Sequence, residues 1–135
     1  AALYQDHDRN VGFAYNRKES KDHGEGGAVV GAKLSGRVVI IDDVITAGTA
    51  IRESVGIIRA AGAEPAAVLV ALDREEKVSE DGRSAVAQVR EELGLPVHVI
   101  ARFNTLIEHL RHTPDLAQHL ETMEAYRARY GESQP

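Results

Sequence analysis

The sequence predicts an α/β fold, a parallel sheet flanked by helices, and three observations carry that prediction. The runs "VVII" (Val38–Ile41) and "AAVLVALD" (Ala66–Asp73) are continuously apolar at their centres rather than alternating, and "PVHVIA" (Pro96–Ala101) is apolar but for His98, as in strands covered on both faces. Helical spacing separates them, and the order strand, helix, strand, helix, strand is that of a parallel sheet. At 135 residues the chain is one domain's worth, so a single domain over residues 1–135 is expected.

In chain order, Leu3 and Tyr4 read as the last turn of a helix, and Val11–Tyr15 as a short strand. Residues 16–27 are polar and Gly-rich with no apolar period, a loop. Val29–Ala32 is a second short strand, and "LSGR" (Leu34–Arg37) turns into the strand at Val38. Ile51, Val55, Ile57, Ile58 and Ala61 recur at helical spacing, and Gly62 stands where a helix stops. Ser84–Leu93 is the next helix; the tail Thr105–Tyr130 is helical in two pieces, the second starting at Thr113-Pro114.

Composition narrows the function. There is no Cys, so disulfides, thiolate metal sites and a cysteine nucleophile are excluded. A net charge of −5 argues against broad nucleic-acid binding, which needs clustered Lys and Arg. No apolar run approaches the roughly 20 residues of a membrane-spanning helix, and a cytoplasmic protein without membrane contact is expected. His98, His109, His112 and His119 are not grouped with carboxylates, and no zinc site is expected.

The chemistry concentrates in "VVIIDDVITAGTA" (Val38–Ala50). Ligands of open α/β sheets gather at the carboxyl ends of strands, where Asp42 and Asp43 fall. Ionised carboxylates accept hydrogen bonds, and the vicinal hydroxyls of a ribose donate them. Thr46, Ala47, Gly48 and Thr49 are small enough to leave backbone N–H groups open at a helix N-terminus, which suits a phosphate. The bland alternative is that the acids end a strand and Thr46 or Thr49 caps the helix; the length of the pattern favours the ligand.

This motif resembles the signature of the type I phosphoribosyltransferases, which bind phosphoribosyl pyrophosphate. Two further segments resemble the orotate phosphoribosyltransferase branch: "YNRKESKDHGEGG" (Tyr15–Gly27), similar to its mobile catalytic loop, and "ALDREE" (Ala71–Glu76), similar to its orotate-carboxylate segment. Without the family, Arg17, Lys18, Lys21 and His23 are a cationic cluster on a Gly-hinged segment, and Arg74 is a cation after a buried strand whose bland partner is Glu75 or Glu76.

The resemblance implies a Rossmann-like core and transfer of the phosphoribosyl group to orotate, giving orotidine 5′-monophosphate and pyrophosphate in UMP biosynthesis. It assigns Lys21, His23, Asp42 and Asp43 to catalysis. Arg17, Lys18, Lys21 and His23 are assigned to the pyrophosphate side, Asp42, Asp43 and Thr46–Thr49 to ribose phosphate, and Arg74 to orotate. It also implies Mg²⁺ carried by substrate and water with no direct protein ligand, and a homodimer in which residues 16–27 act in trans.

Relative to the family, an N-terminal hood and a first strand with its pyrophosphate loop are expected to be missing, which makes the chain an N-terminally incomplete core whose activity alone is in question. The alternatives are a non-catalytic phosphoribosyl-pyrophosphate-binding regulator and a transferase for a purine or other base. A receiver-type signalling domain fits less well, since Val97–Asn104 offers no Lys.

Overall fold

A computed structural model describes residues 1–17, 29–80 and 82–132. Its elements are α1 (Ala2–His7), β1 (Ala14–Asn16), β2 (Val29–Gly31), β3 (Arg37–Val44), α2 (Thr49–Ala60), β4 (Glu64–Asp73), α3 (Ala85–Leu93), β5 (Val97–Arg102), α4 (Phe103–Arg111), a 3₁₀ helix (Pro114–His119) and α5 (Leu120–Tyr130).

The β-branched runs form a three-stranded sheet in the order β3-β4-β5, parallel throughout. Ile40 stands beside Val68 and Val68 beside Val97, while Asp42 stands beside Val70. The carboxyl ends of all three strands therefore share one edge. On one face of the sheet Ile40, Val68, Val70 and Val97 meet Ile51, Val55 and Ile58 of α2 and Ala85, Val86 and Val89 of α3 in a single core. The apolar stripe of α2 follows the helical period, which is why this helix lies flat on the sheet. Ser84 caps α3, its Oγ accepting from the Ala87 N–H at 3.3 Å.

The parallel sheet flanked by helices is as the sequence predicts, but its cover differs. Among the described residues the second face is open: Ile41 is 71% and Ile100 75% exposed, with Val39 also exposed. Continuous apolar strands show that both faces suit burial, not what buries them. The other differences are of extent. The first strand is Ala14–Asn16 instead of Val11–Tyr15, β3 continues through both acids to Val44, and α4 begins at Phe103 directly from β5.

β1 and β2 form a separate antiparallel hairpin with Asn16 opposite Val29. Its root is tied to α2, since Asn16 Nδ2 donates to Glu53 Oε1 at 2.9 Å. At the other end of the chain, α5 packs on α4 through Phe103 and Tyr126, whose ring centroids are 5.6 Å apart, and Arg111 pairs with Glu124.

Candidate functional site

Asp42 and Asp43 are the last polar residues of β3, and consecutive strand residues point to opposite faces. Asp42 is half-buried on the helix-covered side and Asp43 exposed on the other. Each carboxylate turns along the chain: Asp42 Oδ1 accepts from the Asp43 N–H at 3.0 Å and Asp43 Oδ1 from the Val44 N–H at 2.8 Å. The acids thus flank the strand tip from both sides instead of sitting together on a turn.

Beyond Val44, Ile45 is buried as an anchor, Thr46 and Ala47 are exposed, and α2 opens at Thr49. Its N-cap is Gly48, with φ 71°, and no side chain caps it. Neither threonine takes the capping role that the bland alternative required; both are exposed. Gly48 itself offers no side-chain cap to the first turn of this twelve-residue helix, which opens at the tip of the acidic strand. Gly48 is buried, and a Cβ there would lie 2.5 Å from Val89 Cγ2. The loop is therefore held by shape as well as by backbone conformation.

A cation absent from the sequence reading braces it. Arg52 Nη1 donates to the Ala47 carbonyl at 2.6 Å, while its Nε and Nη2 donate to Glu92 Oε2 at 2.9 and 2.6 Å. The guanidinium fork fixes the loop carbonyl from one side and is itself fixed by α3.

Arg74 emerges at the same sheet edge, two residues past the Val44–Leu72 pair. Its Nη2 lies 3.2 Å from Glu76 Oε2, the pairing foreseen as the bland alternative, while its Nε is buried without a hydrogen-bond partner. The turn around it is tightly made. Asp73 Oδ1 accepts from the Glu75 N–H at 3.0 Å, and Glu75, at φ 52°, accepts from the Asn104 N–H through Oε2 at 2.8 Å. Arg102 lies 3.6 Å from Asp73 and 3.8 Å from Glu75.

Asp73 is only 5% exposed. Burial pushes its carboxyl up from the ordinary 3.8, opposed by the Glu75 N–H and by Arg102 and reinforced by Glu132. A raised folded value means that the neutral acid is favoured by folding. The contribution is whole below the unfolded value and is lost as pH rises through the folded one. Asp73→Asn, which keeps an acceptor for the Glu75 N–H, is expected to gain stability relative to wild type between about pH 3 and pH 7. Urea midpoints of both proteins at the two pH values check this, and a constant gap would refute it.

No protein-family model matches the chain. Orotate phosphoribosyltransferase of Chromobacterium violaceum is 60% identical over 123 residues, which cover 91% of this chain and 57% of that protein. The enzyme of the same name from Thioalkalivibrio sulfidiphilus is 57% identical over 130 residues, 96% of this chain and 61% of that protein. The crystal structure of Francisella tularensis orotate phosphoribosyltransferase superposes with a TM-score of 0.77 at 30% identity, covering 97% of this chain and 61% of that one. Over nearly its whole length the chain is similar to orotate phosphoribosyltransferases. It spans about three fifths of the length of these relatives.

The structure gathers Asp42, Asp43, Thr46–Thr49 and Arg74 at one sheet edge. Arg17 is exposed just past β1, and Lys18, Lys21 and His23 lie outside the described residues. Among the described residues no group of three or more His, Asp or Glu is placed to hold a metal, and no helix is long and apolar enough to cross a membrane. Arg52, Glu76 and Tyr126 were missed as site residues. Tyr126 donates its hydroxyl to Glu76 Oε1 across 50 positions of sequence, a contact with no local signal.

Proposed function

We propose that the protein of which this chain is a member or a part transfers the phosphoribosyl group of phosphoribosyl pyrophosphate to orotate, releasing pyrophosphate and orotidine 5′-monophosphate. The observation that carries the reading is the α2 N-terminus: it opens without a side-chain cap six residues after a pair of acids, on a loop pinned by Gly48 and Arg52. Such an end offers backbone N–H groups and the positive pole of the helix to a 5′-phosphate. The acids on either side of the strand tip accept from the ribose hydroxyls.

Departure of pyrophosphate builds positive charge on the ribose ring and negative charge on the leaving group, as in glycosidic cleavage. Asp42 and Asp43 stand beside the ring and favour the former. Lys18, Lys21 and His23, with Arg17, offset the latter from the segment between β1 and β2, whose ends meet at the Asn16–Val29 pair next to α2. In this reading the segment serves the partner's site of a homodimer, and the protein works in the cytoplasm. In this reading Mg²⁺ is held by substrate oxygens and water, near the Asp42 and Asp43 carboxylates. When bound, it neutralises phosphate charge.

Incubation with orotate, phosphoribosyl pyrophosphate and Mg²⁺ is expected to remove the orotate absorbance; no change with the complete protein would defeat the proposal. Arg74 is the carboxylate receptor in this scheme, because a guanidinium meets a planar carboxylate through parallel hydrogen bonds. Arg74→Ala is expected to weaken orotate binding by about 2 kcal/mol, in the range of a charged hydrogen bond, with phosphoribosyl pyrophosphate binding intact. Calorimetric titration with each substrate checks the split.

A further inference from the structure

Arg74 is a long side chain at the end of a strand, yet three layers of structure converge on it. Its Nη2 lies 3.2 Å from Glu76 Oε2, and the other oxygen of that carboxylate accepts from the Tyr126 hydroxyl. The Tyr126 ring in turn leans on Phe103 and, at 4.7 Å, on Tyr130. Phe103 is buried, so the stack has a fixed base. The backbone is sewn to the same helix end: the Lys77 N–H donates to the Tyr130 carbonyl at 2.9 Å, the Glu132 N–H to the Glu75 carbonyl at 2.7 Å, and Glu76 faces Gly131 in an antiparallel bridge. α5 itself has no buried residue. Its tight connections fall on the segment carrying Arg74, on Asn104 and on α4.

We propose that Glu76, held by the Tyr126 hydroxyl, is the positioning residue for Arg74, orienting the guanidinium for the orotate carboxylate; this rests on the function proposed above. An arginine loses rotamer freedom when it is fixed. Fixing it before the ligand arrives removes that cost from binding. The geometry favours orientation over occupation of the ligand's place, because Glu76 is itself anchored at Oε1 by the Tyr126 hydroxyl.

Tyr126→Phe removes the hydroxyl and keeps the ring stack; Glu76→Gln keeps an acceptor for Tyr126 and removes the charge facing Arg74. In the complete protein both are expected to raise the orotate KM about tenfold, the equivalent of one hydrogen-bond-sized loss, while the KM for phosphoribosyl pyrophosphate moves less than twofold. An orotate KM unchanged or lowered in either variant overturns the proposal, the lowered case marking Glu76 as a competitor for Arg74. A second measurement needs no substrate: the ¹⁵N resonance of the Arg74 Nε–H, assigned by its loss in Arg74→Lys, is expected to exchange with water about tenfold faster in Tyr126→Phe. Equal exchange in the two proteins overturns the positioning role. Wild-type protein that neither binds nor consumes orotate defeats the functional reading instead, and the exchange measurement then decides positioning by itself.

Discussion

Gly48→Ala is expected to lower the folding stability of the chain by about 3 kcal/mol. The residue sits at φ 71°, where a side chain costs roughly 1–2 kcal/mol. The added methyl would also stand 2.5 Å from Val89 Cγ2 and 3.1 Å from Arg52 Nη1. Val89 is fully buried in the core between α3 and the sheet and has nowhere to retreat, and forced overpacking adds roughly 1–3 kcal/mol. Displacing Arg52 would release the Ala47 carbonyl that it holds, so phosphate affinity should fall with stability. Urea denaturation of the two proteins measures the first effect. A loss below about 1 kcal/mol would mean that the loop rebuilds around the methyl, and that Gly48 is not the wedge described.

Lys21→Ala is expected to slow the chemical step about a hundredfold, roughly 3 kcal/mol, the size of effect seen when one preorganised donor to developing negative charge is removed. Lys21 lies outside the described residues, so the argument rests on the resemblance of its segment and on where that segment is rooted. Asn16 and Val29 face each other at its two ends, and Asn16 is bonded to Glu53 in the second turn of α2. A cation on a twelve-residue excursion can extend roughly 20 Å from that root, far enough to meet the pyrophosphate of a substrate whose 5′-phosphate is held at a partner's α2 N-terminus. Turnover of the complete protein at saturating substrates is the measurement; a change of only a fewfold would remove Lys21 from the chemistry.

The strand–loop–helix unit was legible because each part has a local signature: β-branched residues make β3, small residues make the loop, and Ile51, Val55 and Ile58 recur on one side of α2. The position of Arg74 at the sheet edge was legible for a similar reason, as a cation directly after an apolar strand. What supports these residues was not. Arg52 meets Glu92 across 40 positions and Tyr126 meets Glu76 across 50. Such pairings are set by how helices land on a sheet and leave no period behind. The acids illustrate a finer limit. Their place at the strand's end was readable, but β3 continues through them, and this extension sends neighbouring carboxylates to opposite sides. The two-sided cover failed for a different reason, since Ile41 and Ile100 announce what their faces favour and nothing about what meets them.

That bare side of the sheet carries a practical consequence for handling the polypeptide. Among the described residues, branched aliphatic groups at Val39 and Ile41 on one outer strand and Ile100 on the other are in contact with solvent, and greasy surfaces of this kind collect fluorescent apolar dyes and mild detergents. Purified samples of these residues should brighten anilinonaphthalene sulfonate while still melting cooperatively, a combination that a collapsed, loosely packed globule does not show.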